Sequence, residues 1–219
     1  NNTMERNMLK RLLLSLPLLL LAPLLACAQE ATWLEGTHYD VIEPAIRTAD
    51  PDKIEVAEFF WYGCGHCYTF EPMIGQWKKT MAEDVSFRGL PAMWGGPMEL
   101  HARAFYAAQA LGVFDTMHPV LFQALNVDRK KLASEDELAE LFAANGVNEE
   151  DFRKAFNSFG VGSQVRQAAA AALSAKITGT PSMMVNGKYM ISIRKAGGQA
   201  NMLKVVDYLV EKERAAAGG

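Results

Sequence analysis

Ten residues constrain this chain more than any others: Phe59-Phe60-Trp61-Tyr62-Gly63-Cys64-Gly65-His66-Cys67-Tyr68, a Cys-x-x-Cys pair that follows an apolar strand-like run and opens a helix-like one. A strand-to-helix junction puts Cys64 at a helix N-terminus, where unpaired backbone N–H groups and the positive end of the macrodipole favour a thiolate. Three residues' separation on a first helical turn brings the two Cβ atoms close enough for a disulfide without unwinding the helix. The pair therefore predicts a redox-active dithiol. Cys64 is expected to be the exposed nucleophile and Cys67 the buried resolving thiol, because the helix turns its later residue toward the sheet.

The size of the thiolate effect shows what it can do. At pH 7 a thiol of pKa ~8.5 is about 3% ionised, whereas one lowered to ~4 is almost wholly ionised. The difference is ~4 kcal/mol and exists only in the reduced form, so it raises the reduction potential by roughly 90 mV and makes the disulfide an oxidant. That direction is general to such dithiols. Zinc is a poor competing explanation, since a structural site needs four ligands and His38, His101 and His118 are scattered. A purely structural disulfide is also disfavoured, because an i to i+3 bridge closes too short a loop to gain much entropy.

Neighbouring residues extend the candidate site. His66, between the cysteines, is placed to donate to the Cys64 sulfur. Glu58 interrupts an apolar run; if its strand is central, the carboxyl is buried, its pKa raised, and it is suited to passing protons to or from Cys67. Thr180-Pro181 precedes a second strand-like run, where a cis proline would leave the Thr180 backbone free to pair with an extended substrate. From the residues alone a trans turn is the better expectation, because cis forms are only about 5–6% of X–Pro bonds. Most of Met73, Met93, Met98, Met183, Met184 and Met190 are expected in the core, the rest lining an adaptable apolar groove.

With 219 residues, half of them apolar, the chain can fill one core and carry an inserted subdomain. The absence of a basic run beyond the first residues argues against nucleic acid as a partner. At the N-terminus Lys10-Arg11 precede an apolar stretch, Leu12 to Leu25, and then Ala26-Cys27-Ala28. This is the pattern of a secretory signal peptide, residues 1–28, with translation expected to start at Met4 or Met8. The stretch is shorter than the ~20 residues of a membrane span and contains Pro17 and Pro23. Its removal takes 22 basic and 25 acidic groups to 19 and 24, a net charge of −5. Leu24-Leu25-Ala26-Cys27 also resembles a lipobox, in which case Cys27 would be acylated and tether the protein to a membrane; ordinary cleavage before Gln29 is favoured.

Along the remaining chain, strands are predicted at Lys53–Trp61 and Val85–Met93, with a helix over Cys64–Lys79 kinked at Pro72. That βαβ unit favours a right-handed crossover and parallel strands. From Met98 to Phe159 the apolar spacing becomes helical, with Gly112 as a stop, Ser134 and Glu137 as a capping box, Asn145-Gly146 as a helix end and a short helix after Asn148. A helix over Ser163–Ala175, strands at Ser182–Val185 and Lys188–Ile193 about Asn186-Gly187, and a helix over Asn201–Arg214 complete the pattern, with Ala215 to Gly219 fraying.

These residues closely resemble periplasmic thiol:disulfide oxidoreductases of the DsbA type in the thioredoxin superfamily. The resemblance runs through Gly36 to Pro44, Glu58-Phe59-Phe60, Cys64 to Tyr68, Phe156 to Phe159, Gly179-Thr180-Pro181 and Val185 to Tyr189. It implies an α/β thioredoxin fold with an inserted all-helical domain: a discontinuous thioredoxin-like domain over 29–96 and 160–219, and a helical insertion over 97–159. It also implies that Pro181 is cis, that Glu58 is the buried acid, and that the protein oxidises cysteine pairs in exported proteins through transient mixed disulfides. A quinone-linked inner-membrane protein of the DsbB type would reoxidise Cys64; no metal or organic cofactor is required. A monomer is expected, for lack of an obvious extra dimerisation domain. Gly65-His66 replaces the Pro-His of the enteric type and removes the rigidity of the first turn, and Thr180 stands where that type has Val, so oxidising power and substrate release are open. The alternatives are an isomerase or reductase on the same fold, or a peptide-binding module without redox activity.

Overall fold

The computed structural model describes residues 33–218; the expected signal peptide and Cys27 lie outside them. The described elements in chain order are β1 (Asp40–Val41), β2 (Ile54–Phe60), α1 (Gly65–Lys79), β3 (Val85–Pro91), α2 (Met98–Ala110), α3 (Phe114–Asn126), α4 (Glu135–Ala144), α5 (Glu149–Phe156), α6 (Phe159–Ser174), β4 (Ser182–Val185), β5 (Tyr189–Ser192), α7 (Ile193–Ala196) and α8 (Gln199–Ala217). The five strands form one sheet in the order β1-β5-β4-β2-β3. β2 pairs in parallel with β3 and antiparallel with β4, while β5 pairs antiparallel with β4 and β1.

The sequence Ile54-Glu55-Val56-Ala57-Glu58-Phe59-Phe60 forms a strand buried on both faces, as an interior strand covered by helices requires. Val56 joins Phe70 and Ile74 of α1, Met183 and Ile191 of the hairpin, and Met202, Val205 and Leu209 of α8 in one apolar layer. Ala57 and Phe59 belong to the other layer, with Phe105, Met117, Phe122 and Phe142 of the helices between β3 and α6. Two cores therefore flank one sheet, and the thioredoxin fold with helices inserted after β3 matches the expected fold class.

Elements forecast from local chemistry form close to where they were placed. Ser134 accepts from the Glu137 N–H at 3.2 Å and opens α4; Asn186 and Gly187 turn the β4–β5 hairpin with φ of +50° and +66°. Gly187 is also required by packing, since a Cβ there would lie 1.9 Å from the Ile46 carbonyl oxygen. Three differences stand out, of which only the first is tertiary in origin. β1 is two residues long, too short for any period, and exists because β5 offers it an edge. α6 starts at Phe159 rather than Ser163, capped by the Ser158 side chain, which accepts from Val161 at 3.2 Å. α8 continues through Ala215 to Ala217, where alanines sustain the helix rather than fraying. Met98, Met183, Met184 and Met190 are buried in the core, and Met73 and Met93 half-buried.

Glu213 fastens the hairpin to α8: its carboxylate accepts from Asn186 and Lys188 at 2.6 Å and from the Tyr189 hydroxyl at 2.9 Å. Burial raises its pKa, but these three donors outweigh burial and hold it below the ordinary carboxylate value. Glu213→Ala is expected to lower stability in urea by about 1–3 kcal/mol, because it strands the buried Tyr189 hydroxyl and the half-buried Asn186 amide. The stabilisation is complete above the unfolded carboxylate range near ~4.3 and is lost as pH falls through the lower folded value, so the gap between variant and parent closes in acid.

Candidate active site

β2 delivers the chain through Trp61, Tyr62 and Gly63 to the N-terminus of α1, with Cys64 as its N-cap at φ −88° and ψ 113°. Gly63 is dictated by packing, because a Cβ would stand 2.4 Å from the Trp61 ring. Cys64 is half-buried and Cys67 fully buried, and both are unpaired, so the structure shows the dithiol form. The Cys64 Sγ lies 3.3 Å from the Thr180 carbonyl oxygen, and the Thr180-Pro181 bond is cis. The Ser182 hydroxyl donates to Gly179 at 2.8 Å and closes that loop. Two segments more than a hundred residues apart in sequence thus face each other across one sulfur.

The two thiols are made unlike. Cys64 is lowered to about 5, chiefly by the hydrogen bond from the Cys67 thiol; burial opposes this, while Thr180 and the backbone N–H groups of Cys67 and His66 add to it. Cys67 is pushed far up by burial, by its bond to Cys64, and by the charges of Glu58 and Cys64. His66 is exposed and acts on Cys64 through its backbone N–H; its carbonyl accepts from Gln199 at 2.6 Å and Thr69 at 3.1 Å.

Glu58 is 2% exposed on the interior strand, and its Oε1 has no hydrogen-bond partner. Burial raises its pKa well above the ordinary value; Glu71 and Cys64 reinforce this and Lys78 opposes it. An acid kept neutral next to a pair of thiols can give a proton to a sulfur and take it back.

Helices α2 and α3 supply residues that local pattern did not reveal. The Trp61 indole donates to His101 Nδ1 at 3.0 Å, and His101 Nε2 stands 3.0 Å from the Leu132 carbonyl. The ring therefore carries its proton on Nε2, and burial lowers its pKa and keeps it neutral. Asn126 donates to the carbonyls of Tyr62 and Phe122 at 2.7 and 2.9 Å. His118 Nδ1 lies 2.7 Å from the Tyr62 hydroxyl. Their partners in the loop before Cys64 are 40 to 64 residues distant, so only an alignment of related chains could have signalled them.

A titration of the thiolate ultraviolet absorbance should give a midpoint near about 5 for Cys64. Cys67→Ala should move it up, since the thiol donor is gone. The reduced form keeps its full advantage above the ordinary thiol range (~8.5) and loses it as pH falls through about 5.

A family model described as a DSBA-like thioredoxin domain matches residues 76–209. The thiol:disulfide interchange protein DsbA of Azotobacter vinelandii is 45% identical over 181 residues, 83% of this chain and 85% of that one. The protein of the same name from Pseudomonas aeruginosa is 42% identical over 190 residues, 87% and 90% of the two chains. The crystal structure of Pseudomonas aeruginosa DsbA superimposes with a TM-score of 0.82 at 42% identity, covering 85% of this chain and 97% of that one. The oxidoreductase DsbA from Xylella fastidiosa gives 0.76 at 36% identity, covering 81% and 96%.

Proposed function

The chain belongs to the DSBA-like thioredoxin family, and from that premise we propose that Cys64 and Cys67 are its reactive pair, with Glu58 as acid–base and Thr180-Pro181 as the substrate-facing edge. It is a thiol:disulfide interchange protein, an oxidoreductase that donates a disulfide to cysteine pairs of substrate proteins. The observation that carries the residue assignment is the asymmetry of the two thiols: one lowered to about 5 and half-buried, the other pushed up and enclosed.

In the oxidised form a substrate thiolate attacks Cys64 Sγ. The Cys64–Cys67 bond breaks, a substrate–Cys64 disulfide forms, and the electron pair leaves on Cys67. Because Cys67 holds a proton tightly in its buried setting, its thiolate takes one from Glu58. A second substrate thiolate then attacks the substrate sulfur of the mixed disulfide and expels Cys64 as thiolate. Its low pKa makes it a good leaving group, so the chemistry runs toward oxidised substrate and reduced protein. Thr180 presents its carbonyl beside the sulfur, where an extended substrate can add backbone hydrogen bonds.

We place the protein in the periplasm, with exported chains as substrates and a DsbB-type, quinone-linked membrane protein returning Cys64 and Cys67 to the disulfide. No described helix is long and apolar enough to cross a membrane. Residues 97–159 are taken as an insertion in a discontinuous domain of 29–96 and 160–219, because the sheet draws strands from both sides of them.

Equilibration of the mature protein with glutathione buffers at pH 7, followed through Trp61 fluorescence, tests the direction of transfer. The expected result is a potential far above glutathione, with the reduced form the more stable; a potential near or below ~−270 mV turns the assignment to a reductase or isomerase. Cys64→Ser should abolish oxidation of a dithiol peptide, and retention of peptide binding without any oxidation in the parent protein would identify a binding module instead.

A further inference from the structure

The segment between α3 and α4 carries three consecutive cations, Arg129-Lys130-Lys131, in a chain of net charge −3, and the transfer steps above give it no part. Both of its ends are fastened to the loop that holds Cys64. At its start Asn126 donates to the Tyr62 carbonyl at 2.7 Å, and its Oδ1 would lie 3.9 Å from a Cβ on Gly65. At its end the Leu132 carbonyl accepts from His101 Nε2 at 3.0 Å, and His101 Nδ1 accepts from the Trp61 indole at 3.0 Å. One turn back on α3, the Tyr68 hydroxyl reaches Gln123 Oε1 at 3.4 Å. Residues 61, 62, 65 and 68 bracket Cys64, so a segment held against them lies at the rim of the site.

The backbone of this segment is set without help from its charged side chains. Leu132 is buried and anchors it in the helical core, and φ of +58° at Arg129 and +46° at Leu132 turns the chain back on itself. The last carbonyls of α3 are met by backbone donors: Gln123 accepts from Val127 and Asp128 at 2.9 and 3.1 Å, and Ala124 from Lys130 at 2.9 Å. The cations are therefore not needed to cap those carbonyls. Arg129, Lys130 and Lys131 are exposed, and among the described residues their side chains have no hydrogen-bond, ion-pair or aromatic partner. The two carboxylates beside them are turned elsewhere, Asp128 to the Gln123 amide at 3.5 Å and Glu137 to the Ala133 N–H.

We propose that Arg129, Lys130 and Lys131 form a docking rim for acidic segments of the substrate chain, so that reduced chains with Asp or Glu next to the reactive cysteine are oxidised in preference to neutral or basic ones. The inference rests on the assignment of Cys64 as the attacked sulfur. What must arrive there is a thiolate on an extended chain, and unneutralised positive charge beside the sulfur concentrates anionic segments and favours the ionised form of an incoming thiol. Three consecutive cations match the reach of two or three extended residues at ~3.3 Å each, a substrate segment rather than a broad surface. The rim forms and breaks no bond, and it acts on encounter and on the charge of the nucleophile.

The test is the second-order rate at which the oxidised protein oxidises three dithiol peptides of one core sequence, flanked by Asp, Ser or Lys, followed by tryptophan fluorescence at pH 7. At low salt the Asp peptide is expected to react about tenfold faster than the Lys peptide, and in 1 M salt, where the Debye length is ~3 Å, the ratio should approach one. Lys130→Gln with Lys131→Gln should bring the low-salt ratio below about threefold. Lys53→Gln with Lys79→Gln makes the same change in net charge at the far ends of β2 and α1 and should keep the parental ratio. Equal rates for the Asp and Lys peptides in the parent at low salt overturn the rim, as does an equal fall in the two double variants, which would assign the effect to net charge. Binding of phosphatidylserine vesicles that is lost in the Lys130 and Lys131 variant, without any preference among the peptides, assigns the segment to a membrane surface and overturns the substrate reading. A parent that oxidises none of the three peptides overturns the oxidase assignment on which the inference rests.

Discussion

The hydrogen bond from the Cys67 thiol to the Cys64 sulfur, made at the first turn of α1, is the interaction on which the site depends. It works because one sulfur stands at a helix N-terminus with backbone N–H groups turned toward it, while the other is enclosed by the sheet. A negative charge on Cys64 is therefore supported by donors that cost no reorganisation, and the same charge on Cys67 meets low polarity and the neighbouring Glu58. A disulfide between them would join two sulfurs of very different proton affinity, and breaking it toward Cys67 would leave the electron pair on a group that needs a proton.

The rest of the fold maintains that inequality. β2 is an interior strand, so Glu58 is buried beneath the pair rather than solvated. The helices after β3 reach back to the loop before Cys64: His101 to Trp61, Asn126 to the Tyr62 carbonyl and His118 to the Tyr62 hydroxyl. Three bonds from two inserted helices fix three consecutive backbone and side-chain features of a loop that contains Gly63. The insertion is thus part of the site's frame.

Much of this was readable locally. Cys-x-x-Cys at a strand-to-helix junction, Ser134 with Glu137, and Asn186-Gly187 are short-range signals, because caps, turns and i to i+3 pairs are settled within four residues. What could not be read were the partners set by long-range packing. His118 stood in the chain as one scattered histidine, and neither its bond to Tyr62 nor its approach to Glu71 has any local periodicity. His66 shows the converse: its position between the cysteines suggested an imidazole donor, whereas its contact to Cys64 runs through the backbone.

The sequence by itself determined the dithiol, the order of the longer strands and helices, and the likeness that identifies the fold. Those rest on chemistry between near neighbours and on apolar periodicity. The tertiary structure decided which carboxylates are buried, which histidines hold the active-site loop, and how Thr180 comes to lie against Cys64. These depend on the parallel crossover and on the hairpin that brings residue 180 beside residue 64, and a contact between distant segments exists only once the sheet between them has closed.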